Sequence, residues 1–324
     1  MSEVGAALIG PSGMWGPKIA DAAERAGNLR LVTCYGRDEE RRRAFADERG
    51  IEAAESFEAA VEHPEVEAVL LVTPNDVHAE QALACSERGR HVFVEKPIAD
   101  AVAAAERMRD AFAAAGLVLA VGHGMRRLGG ARRTKELIDD GALGTVVLAE
   151  ANWSLTGRLS PEGWRWYRER NRGGPLMQLG VHHADTLAHW LGPITRSHGT
   201  FGHVVTEAEA DDVGAVSVEF ENGARGTIAG SYVSPPTYTI RLFGTEAVLE
   251  YSLDMSVWPQ AHKADAASRL ALRRKDGREK IDFPERDPLA EQLAEFARAV
   301  RGEGSPETGA EEGIAALRVI EEAL

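Results

Sequence analysis

The sequence predicts an α/β protein in two parts: an N-terminal doubly wound parallel sheet, then a C-terminal α+β domain built on a large, mostly antiparallel sheet. Three observations predict it. Through residue 122, short continuously apolar segments alternate with helical ones, the pattern of a parallel sheet covered on both faces. From about residue 196 onward, segments partly alternate apolar with polar and are joined by short turns, as antiparallel strands with one solvated or partnered face do. At 324 residues the chain is long for one core, so two domains are expected, 1–122 and 123–324.

Val4 to Ile9 forms the first strand. Gly10-Pro11-Ser12-Gly13-Met14-Trp15-Gly16 turns from it into a helix from Pro17 to Ala26, closed by Gly27. Glycines there permit a tight turn and close approach to a pyrophosphate. The helix N-terminus adds unsatisfied N–H groups and a positive dipole end. Gly10, Gly13, Met14, Trp15 and Gly16 are therefore expected to meet a dinucleotide. The spacing G-x-x-G-x-x-G is one residue longer than usual before its second glycine, which makes Gly10 the weakest of these contacts.

The second strand, Leu29 to Tyr35, ends in Gly36-Arg37-Asp38. An acid at this place serves NAD by bonding the ribose hydroxyls, whereas a planar guanidinium suits the 2′-phosphate of NADP. Arg37 favours NADP(H). NAD(H) stays possible if Arg37 merely opens the exposed helix Asp38–Arg49 and Asp38 reaches the ribose.

Ile51 and the segment Ser56–Glu62 lead to a third strand, Ala68 to Val72, which ends in Thr73-Pro74-Asn75 with His78 just beyond. Asn75 and His78 lie where a nicotinamide ribose would pass; a capped helix start with a surface histidine explains His78 equally well. A helix through Gln81–Arg88 and then Gly89 precede the strand His91-Val92-Phe93-Val94, which runs into Glu95-Lys96-Pro97. Proline has no N–H and cannot extend a ladder, so this strand is expected to stop at Lys96. That is the carboxyl edge, where open parallel sheets bind ligands. A lysine held there can hydrogen-bond a carbonyl or hydroxyl oxygen and hand it a proton. The plainer alternative is two solvated charges at a strand end. A helix Ala101–Ala115 and a strand Leu117–Val121 complete the domain.

Gly122-His123-Gly124-Met125-Arg126-Arg127 reads as a polar stretch before a helix to about Asp140, and Thr145–Ser154 begins a new strand. Segments 213–221, 225–233, 238–244 and 247–252 read as an antiparallel meander. Its open sheet suits a homodimer or homotetramer interface. Between these, Trp164-Arg165-Trp166-Tyr167 leads through Gly173-Gly174-Pro175 to Gln178 and to Gly180-Val181-His182-His183-Ala184-Asp185, on a helix running to Trp190. Gln178, His182 and Asp185 can share one helix face. An imidazole with a polar orienting neighbour is the layout of a general acid/base. A polar helix face, or a metal site of His182, His183 and Asp185, are the alternatives; adjacent histidines point apart, so no metal is expected. Two helices, Asp287–Arg301 and Ala310–Ala323, end the chain and are expected to pack back onto the first domain.

Composition bounds the function. Apolar content of 44% and charged content of 27% describe a soluble globular protein. No apolar run approaches the roughly 18 residues of a membrane span. The net charge of −14 argues against nucleic-acid and anionic-membrane partners. Cys34 and Cys85 form neither a disulfide framework nor a zinc motif. With no signal-peptide layout at Met1-Ser2-Glu3-Val4, a cytoplasmic location is expected.

Together, Gly10…Gly13…Gly16, Thr73-Pro74-Asn75 with His78, Glu95-Lys96-Pro97, Arg126-Arg127, Gly173-Gly174 and Gly180-Val181-His182-His183-Ala184-Asp185 resemble the glucose–fructose oxidoreductase/inositol dehydrogenase (Gfo/Idh/MocA) family over nearly the whole length. The resemblance implies a two-domain, NAD(P)-dependent oxidoreductase with an N-terminal Rossmann fold. The reaction would move a hydride between the nicotinamide and a secondary alcohol or ketone of a sugar, an inositol or a cyclic diol. It implies that Lys96 contacts the substrate oxygen and assists proton transfer, that His182 is a partner acid/base, and that Pro97 shapes the nicotinamide pocket. Arg126, Trp164 and Arg165 are expected to line the substrate side with Gln178, His182 and Asp185. The family commonly has aspartate four residues before the histidine; here it is Gln178. Glutamine can hydrogen-bond an imidazole but cannot stabilise an imidazolium by charge. More weight therefore falls on Lys96, with Asp185 orienting His182. Two rival functions suit the same fold: glycoside hydrolysis by transient oxidation with tightly held NAD, and a non-catalytic NAD(P)-binding sensor. Intact Lys96 and His182 argue against the sensor.

Overall fold

A computed structural model describes residues 3–256 and 263–324. Contacts divide the chain into two compact units, residues through 123 with 289–314, and residues 124–288 with 315–324.

In the first unit, strands β1 (Val4–Ile9), β2 (Leu29–Tyr35), β3 (Glu52–Ala53), β4 (Ala68–Leu71), β5 (His91–Val94) and β6 (Leu119–Val121) form one parallel sheet in the order 3-2-1-4-5-6. Helices α1 (Gly16–Ala26), α2 (Glu39–Arg49), α3 (Phe57–Glu62), α4 (His78–Glu87) and α5 (Val102–Ala115) make the crossovers. β1, β4 and β6 are buried throughout and β5 at all but its first residue, which is why they read as unbroken apolar runs. Strand order reverses between β1 and β4. The turn after β1 and the loop after β4 therefore flank the crevice where such sheets take ligands. The two loops touch: Gly10 has φ 98°, and a Cβ there would lie 3.1 Å from the Val72 backbone.

β3 is an additional strand ahead of the expected third one, which is β4; at two residues it is too short to show a period. Two further expectations change here. β5 ends at Val94 and not at Lys96, because its ladder partners stop at the same level, Leu71 on one side and Val121 on the other. α4 begins at His78, ahead of the expected Gln81.

The second unit holds α6 (Gly129–Asp139), β7 (Val146–Thr156), α7 (Val181–Leu191), β8 (Ile194–Gly202), β9 (Val213–Phe220), β10 (Arg225–Ser231), β11 (Val233–Gly244), β12 (Val248–Leu253), β13 (Ser268–Arg274) and β14 (Gly277–Ile281). The strands form one sheet in the order 14-13-12-11-7-10-9-8. This corrects the simple meander. β10 and β11 follow each other in sequence but are not neighbours; β7 lies between them, parallel to β10 and antiparallel to β11. The chain steps across the end of β7 at Tyr232. Alternation tells which face a strand buries and is silent about its neighbours.

Ala149, Ala151, Trp153 and Leu155 of β7 face inward with Ile228, Tyr238, Ile240, Leu249 and Tyr251, and α6 and α7 pack on this sheet. The other face carries cross-strand ion pairs: Arg241 with Glu150, Arg278 with Glu250 at 2.8 Å, and Arg225 with Glu219 at 3.6 Å. The expected polar stretch before α6 is instead a buried 3₁₀ turn, Gly124–Arg127, in which Met125, Arg126 and Arg127 are all buried.

Helices α8 (Pro288–Val300) and α9 (Ala310–Glu321) end the chain. Phe296 of α8 is fully buried with its ring centroid 6.1 Å from that of Phe93 on β5. Between the helices, Val121 donates to the Thr308 carbonyl (2.9 Å), Thr308 Oγ1 donates to the Val121 carbonyl (2.7 Å), and Ala120 bridges Gly309. The edge of the parallel sheet is thereby covered at β6. Phe296→Ala should destabilise the first unit by about 3–5 kcal/mol, read from the midpoint of urea unfolding. A loss below about 1 kcal/mol would mean that α8 does not anchor on β5.

Candidate active site

The turn after β1 is wound as tightly as its glycines allow. Gly10 donates to the Tyr35 carbonyl (2.9 Å), Gly13 to Gly10 (3.1 Å) and Gly16 to Gly13 (3.2 Å). A Cβ on Gly16 would sit 2.1 Å from the Pro11 carbonyl oxygen, so no side chain fits. α1 starts there with Pro17 in its first turn, no side-chain cap and no acid in that turn. Its neighbours differ: α2 is capped by Asp38, which accepts from Arg41 N (3.0 Å), and α3 by Ser56, which accepts from Ala59 N (3.0 Å). A helix start with no side-chain cap, behind a glycine cradle, offers N–H groups and a positive dipole end to a phosphate. These residues fit the pyrophosphate of a dinucleotide.

At the end of β2, Arg37 is exposed and makes no hydrogen bond or ion pair among the described residues. Asp38 is engaged, as the cap of α2 and in an ion pair with Arg41 at 3.4 Å. Sequence reasoning passed over Arg42. It is 6% exposed, donates from Nη1 to the Gly36 carbonyl (2.8 Å) and lies 5.6 Å from the Tyr35 ring centroid. Its signal was the i, i+3, i+4 spacing with Phe45 and Ala46, the other buried residues of α2.

Around β5 the geometry is closer. Glu95 is 5% exposed, and burial pushes its carboxyl up to about 7, against the opposing pull of Lys96 and Lys18. Gly122 makes room for it, since a Cβ there would lie 2.8 Å from Glu95 Oε1. Lys96 is half-buried, and its peptide bond to Pro97 is cis. His78 is not a surface residue: it is 1% exposed, with Nδ1 2.9 Å from the Pro97 carbonyl and Nε2 2.8 Å from the Thr73 carbonyl. It ties the loop Thr73-Pro74-Asn75 to the residue following Lys96. Thr73 Oγ1 in turn bonds Gln81 (2.7 Å), and Asn75 is buried. Burial pushes the His78 ring toward neutrality although both carbonyls favour its charged form. A neutral imidazole has one N–H for two acceptors.

In the second unit, residues Leu176–Gly180 are wound as a π-helix, and α7 follows at Val181. The single α-helical face expected for Gln178 and His182 is thus interrupted by a wider turn. Gln178, His182 and Asp185 are all buried, at 6%, 4% and 2% exposure. Asp185 accepts from Arg126 at both carboxylate oxygens, Nε to Oδ2 at 2.9 Å and Nη2 to Oδ1 at 2.5 Å. Its charge is therefore matched by Arg126. The His182 ring lies 4.9 Å from the ring of Trp153, a residue the sequence marked only as an inward strand position. His183 is fully buried against Tyr238 at 4.9 Å, and burial pushes it down to about 4, so it is a neutral packing group. Among the described residues no cluster of histidine, cysteine and carboxylate could hold a metal. Trp164 and Arg165 lie on a short 3₁₀ turn, with the guanidinium 4.3 Å from the indole centroid.

Residues 4–123 match the model of an oxidoreductase family with an NAD-binding Rossmann fold, and residues 131–250 match a Gfo/Idh/MocA C-terminal domain. A 1,5-anhydro-D-fructose reductase from Ensifer adhaerens is 28% identical over 299 residues, covering 91% of this chain and 88% of its own. A D-xylose 1-dehydrogenase (NADP(+)) from Haloferax volcanii is 29% identical over 318 residues, covering 97% and 94%. A solved protein of Desulfitobacterium hafniense, assigned as an NADPH-dependent oxidoreductase, is 35% identical with a TM-score of 0.94 over 99% of this chain and 94% of that one.

Glu95 supplies a pH test. An unfolded glutamate titrates near ~4.3, and in the fold the carboxyl is raised to about 7. Raising the pH through this window ionises the unfolded chain first and so weakens the fold. Glu95→Gln removes that penalty. The variant should match the wild type near pH 4.5 and exceed it at pH 8 by about 2–8 °C in Tm. A wild type more stable at pH 8 would show that its carboxylate gains more from Lys96 and Lys18 than burial costs.

Proposed function

The chain belongs to the Gfo/Idh/MocA oxidoreductase family, and on that premise we propose that it moves a hydride between NADP(H) and a secondary alcohol or ketone of a sugar or related polyol. The observation that carries the proposal is Lys96, set beyond the common end of β4, β5 and β6 and tied through Pro97 and His78 to the loop beside the glycine cradle.

Gly10, Gly13 and Gly16, with Met14 and Trp15, hold the pyrophosphate against the start of α1. Arg37 takes the 2′-phosphate: it is exposed and uncommitted among the described residues, while Asp38 is spent on α2. NAD(H) is the secondary cofactor. Thr73, Pro74, Asn75 and Pro97 border the nicotinamide ribose, with Glu95 beneath and His78 bracing the loop. When bound, the nicotinamide gives or takes the hydride. Lys96 donates a hydrogen bond to the reacting oxygen. Its Nζ gives that oxygen a proton in reduction and takes one in oxidation. His182 orients the substrate or relays that proton, and Gln178, which cannot ionise, contributes hydrogen bonds only. Trp164 and Arg165 contact the sugar, and the Arg126–Asp185 pair fixes the helix that carries His182. Reductase and dehydrogenase activities among the relatives support this substrate class.

The reading extends to a homodimer or homotetramer formed through the second sheet, whose outward face carries the cross-strand ion pairs. It extends also to the cytoplasm, in keeping with two buried free cysteines. The described residues contain no helix long and apolar enough to cross a membrane.

Lys96→Met should lower kcat by about 10²–10⁴-fold, with the dissociation constant for NADPH changed by no more than about twofold. Stopped-flow turnover and fluorescence titration measure the two separately. Turnover of a genuine substrate surviving the change would remove Lys96 from the chemistry. Arg37→Ala should raise the KM for NADPH at least about tenfold and leave that for NADH nearly unchanged; equal effects on both cofactors would return the ribose contact to Asp38.

A further inference from the structure

Three consecutive arginines stand near the start of α2, and the middle one is set apart. Arg41 pairs with Asp38 at 3.4 Å and Arg43 with Glu39 at 2.6 Å, both on the surface. Arg42 turns inward. It is 6% exposed and meets no carboxylate among the described residues. Its Nη1 donates to the Gly36 carbonyl at 2.8 Å, and its guanidinium lies 5.6 Å from the Tyr35 ring centroid. Its Nε–H is buried and has no partner among the described residues. It is also the fourth residue of the helix, close to the positive end of the dipole. A guanidinium buried there without an anion is costly, and one carbonyl and a ring offset only part of that cost. For stability alone, an apolar side chain would serve better on a face it shares with Phe45 and Ala46.

What Arg42 holds explains its presence. The Gly36 carbonyl belongs to the same rigid peptide plane as the Arg37 N–H. By fixing one end of that plane, Arg42 sets the direction of the other and the point from which the Arg37 side chain starts. The peptide lies against the glycine turn. Gly10 donates to the Tyr35 carbonyl at 2.9 Å, and a Cβ on Gly36 would lie 3.2 Å from Pro11 Cδ and 3.8 Å from Ser12 Oγ. The end of β2 is thus laced to the cradle that suits a pyrophosphate, so the ribose beside that pyrophosphate meets the Gly36–Arg37 peptide. Two guanidiniums without an anion flank this one peptide: Arg37, exposed, and Arg42, buried.

We propose that Arg42 is a positioning residue for NADP(H). It aims the Gly36–Arg37 peptide, and its buried charge, less screened by salt than that of Arg37, adds to the attraction for the 2′-phosphate. Arg37 supplies the contact and Arg42 the aim. This rests on the preference for NADP(H) stated above.

The test is calorimetric titration of the full chain with NADPH and with NADH. It compares the wild type with Arg42→Met, Arg42→Lys, Arg37→Ala and the double variant Arg37→Ala/Arg42→Met. Arg42→Met should weaken NADPH binding about 5–20-fold and leave NADH within about twofold. Arg42→Lys keeps the charge and loses the planar fork, so it should fall between the wild type and Arg42→Met. Because Arg42 acts through Arg37, the double variant should lose less than the product of the two single losses. A role in folding alone would lower Tm and leave the ratio of NADPH to NADH affinity unchanged, and that result overturns the proposal. Equal losses for both cofactors, or the full product in the double variant, overturn it too. Should Arg42→Met fail to fold, Arg42→Lys carries the test, and NADPH binding equal to the wild type's sinks the idea. The two readings fail differently. A wild type that binds NADH as tightly as NADPH removes the preference for NADP(H) and the role of Arg42 together. A preference for NADPH that persists unchanged in the Arg42 variants removes the role of Arg42 alone.

Discussion

A carboxyl buried between two lysines is the constraint on which the first unit depends. Glu95 sits at the end of β5 where burial disfavours its charged form, and the charge of Lys96, a hydrogen bond from the Lys96 backbone and the charge of Lys18 oppose that cost. Lys18 belongs to α1, the helix behind the glycine turn, and its ammonium lies 4.9 Å from the Trp15 ring on that turn. One acid therefore joins the element that would hold a pyrophosphate to the lysine that would hold the reacting oxygen. A Cβ at residue 122 would lie 2.8 Å from Glu95 Oε1, so a side chain there would make the carboxyl shift.

The parallel half of the fold was legible because its physics is local and uniform. A strand buried on both faces must be apolar at every position, and β1, β4 and β5 show this as plain runs. The second sheet was half legible. Alternation identified β9, β10 and β12 and their buried faces, yet gave no hint that β7 would slide between β10 and β11. That placement is decided by how inward rings such as Trp153, Tyr238 and Tyr251 pack together, which involves residues roughly a hundred positions apart. β13 and β14 were missed for a related reason: the edge strand β14 is exposed at all but Ile281, and the apolar signal of β13 is confined to Leu270-Ala271-Leu272.

The candidate site divides along the same line. Lys96 and the three glycines were readable because chemistry, strand end and turn coincide within a few residues. His78 was ambiguous, since its role depends on two carbonyls, one of them nineteen residues away at Pro97. The Arg126–Asp185 pair spans fifty-nine residues, and no local pattern joins them.

Charge also bears on the role proposed for His182. A histidine serves as a strong general base when a carboxylate steadies the imidazolium it becomes. Asp185 is matched, oxygen for oxygen, by the Arg126 guanidinium, and breaking such a buried pair to serve another cation would strand a charge. Gln178 is neutral at every pH. His183, the adjacent imidazole, is held neutral by burial. Beside His182 stands the ring of Trp153, 4.9 Å away. On the proposed reading the proton is therefore assigned to Lys96, and His182 is proposed to orient the substrate.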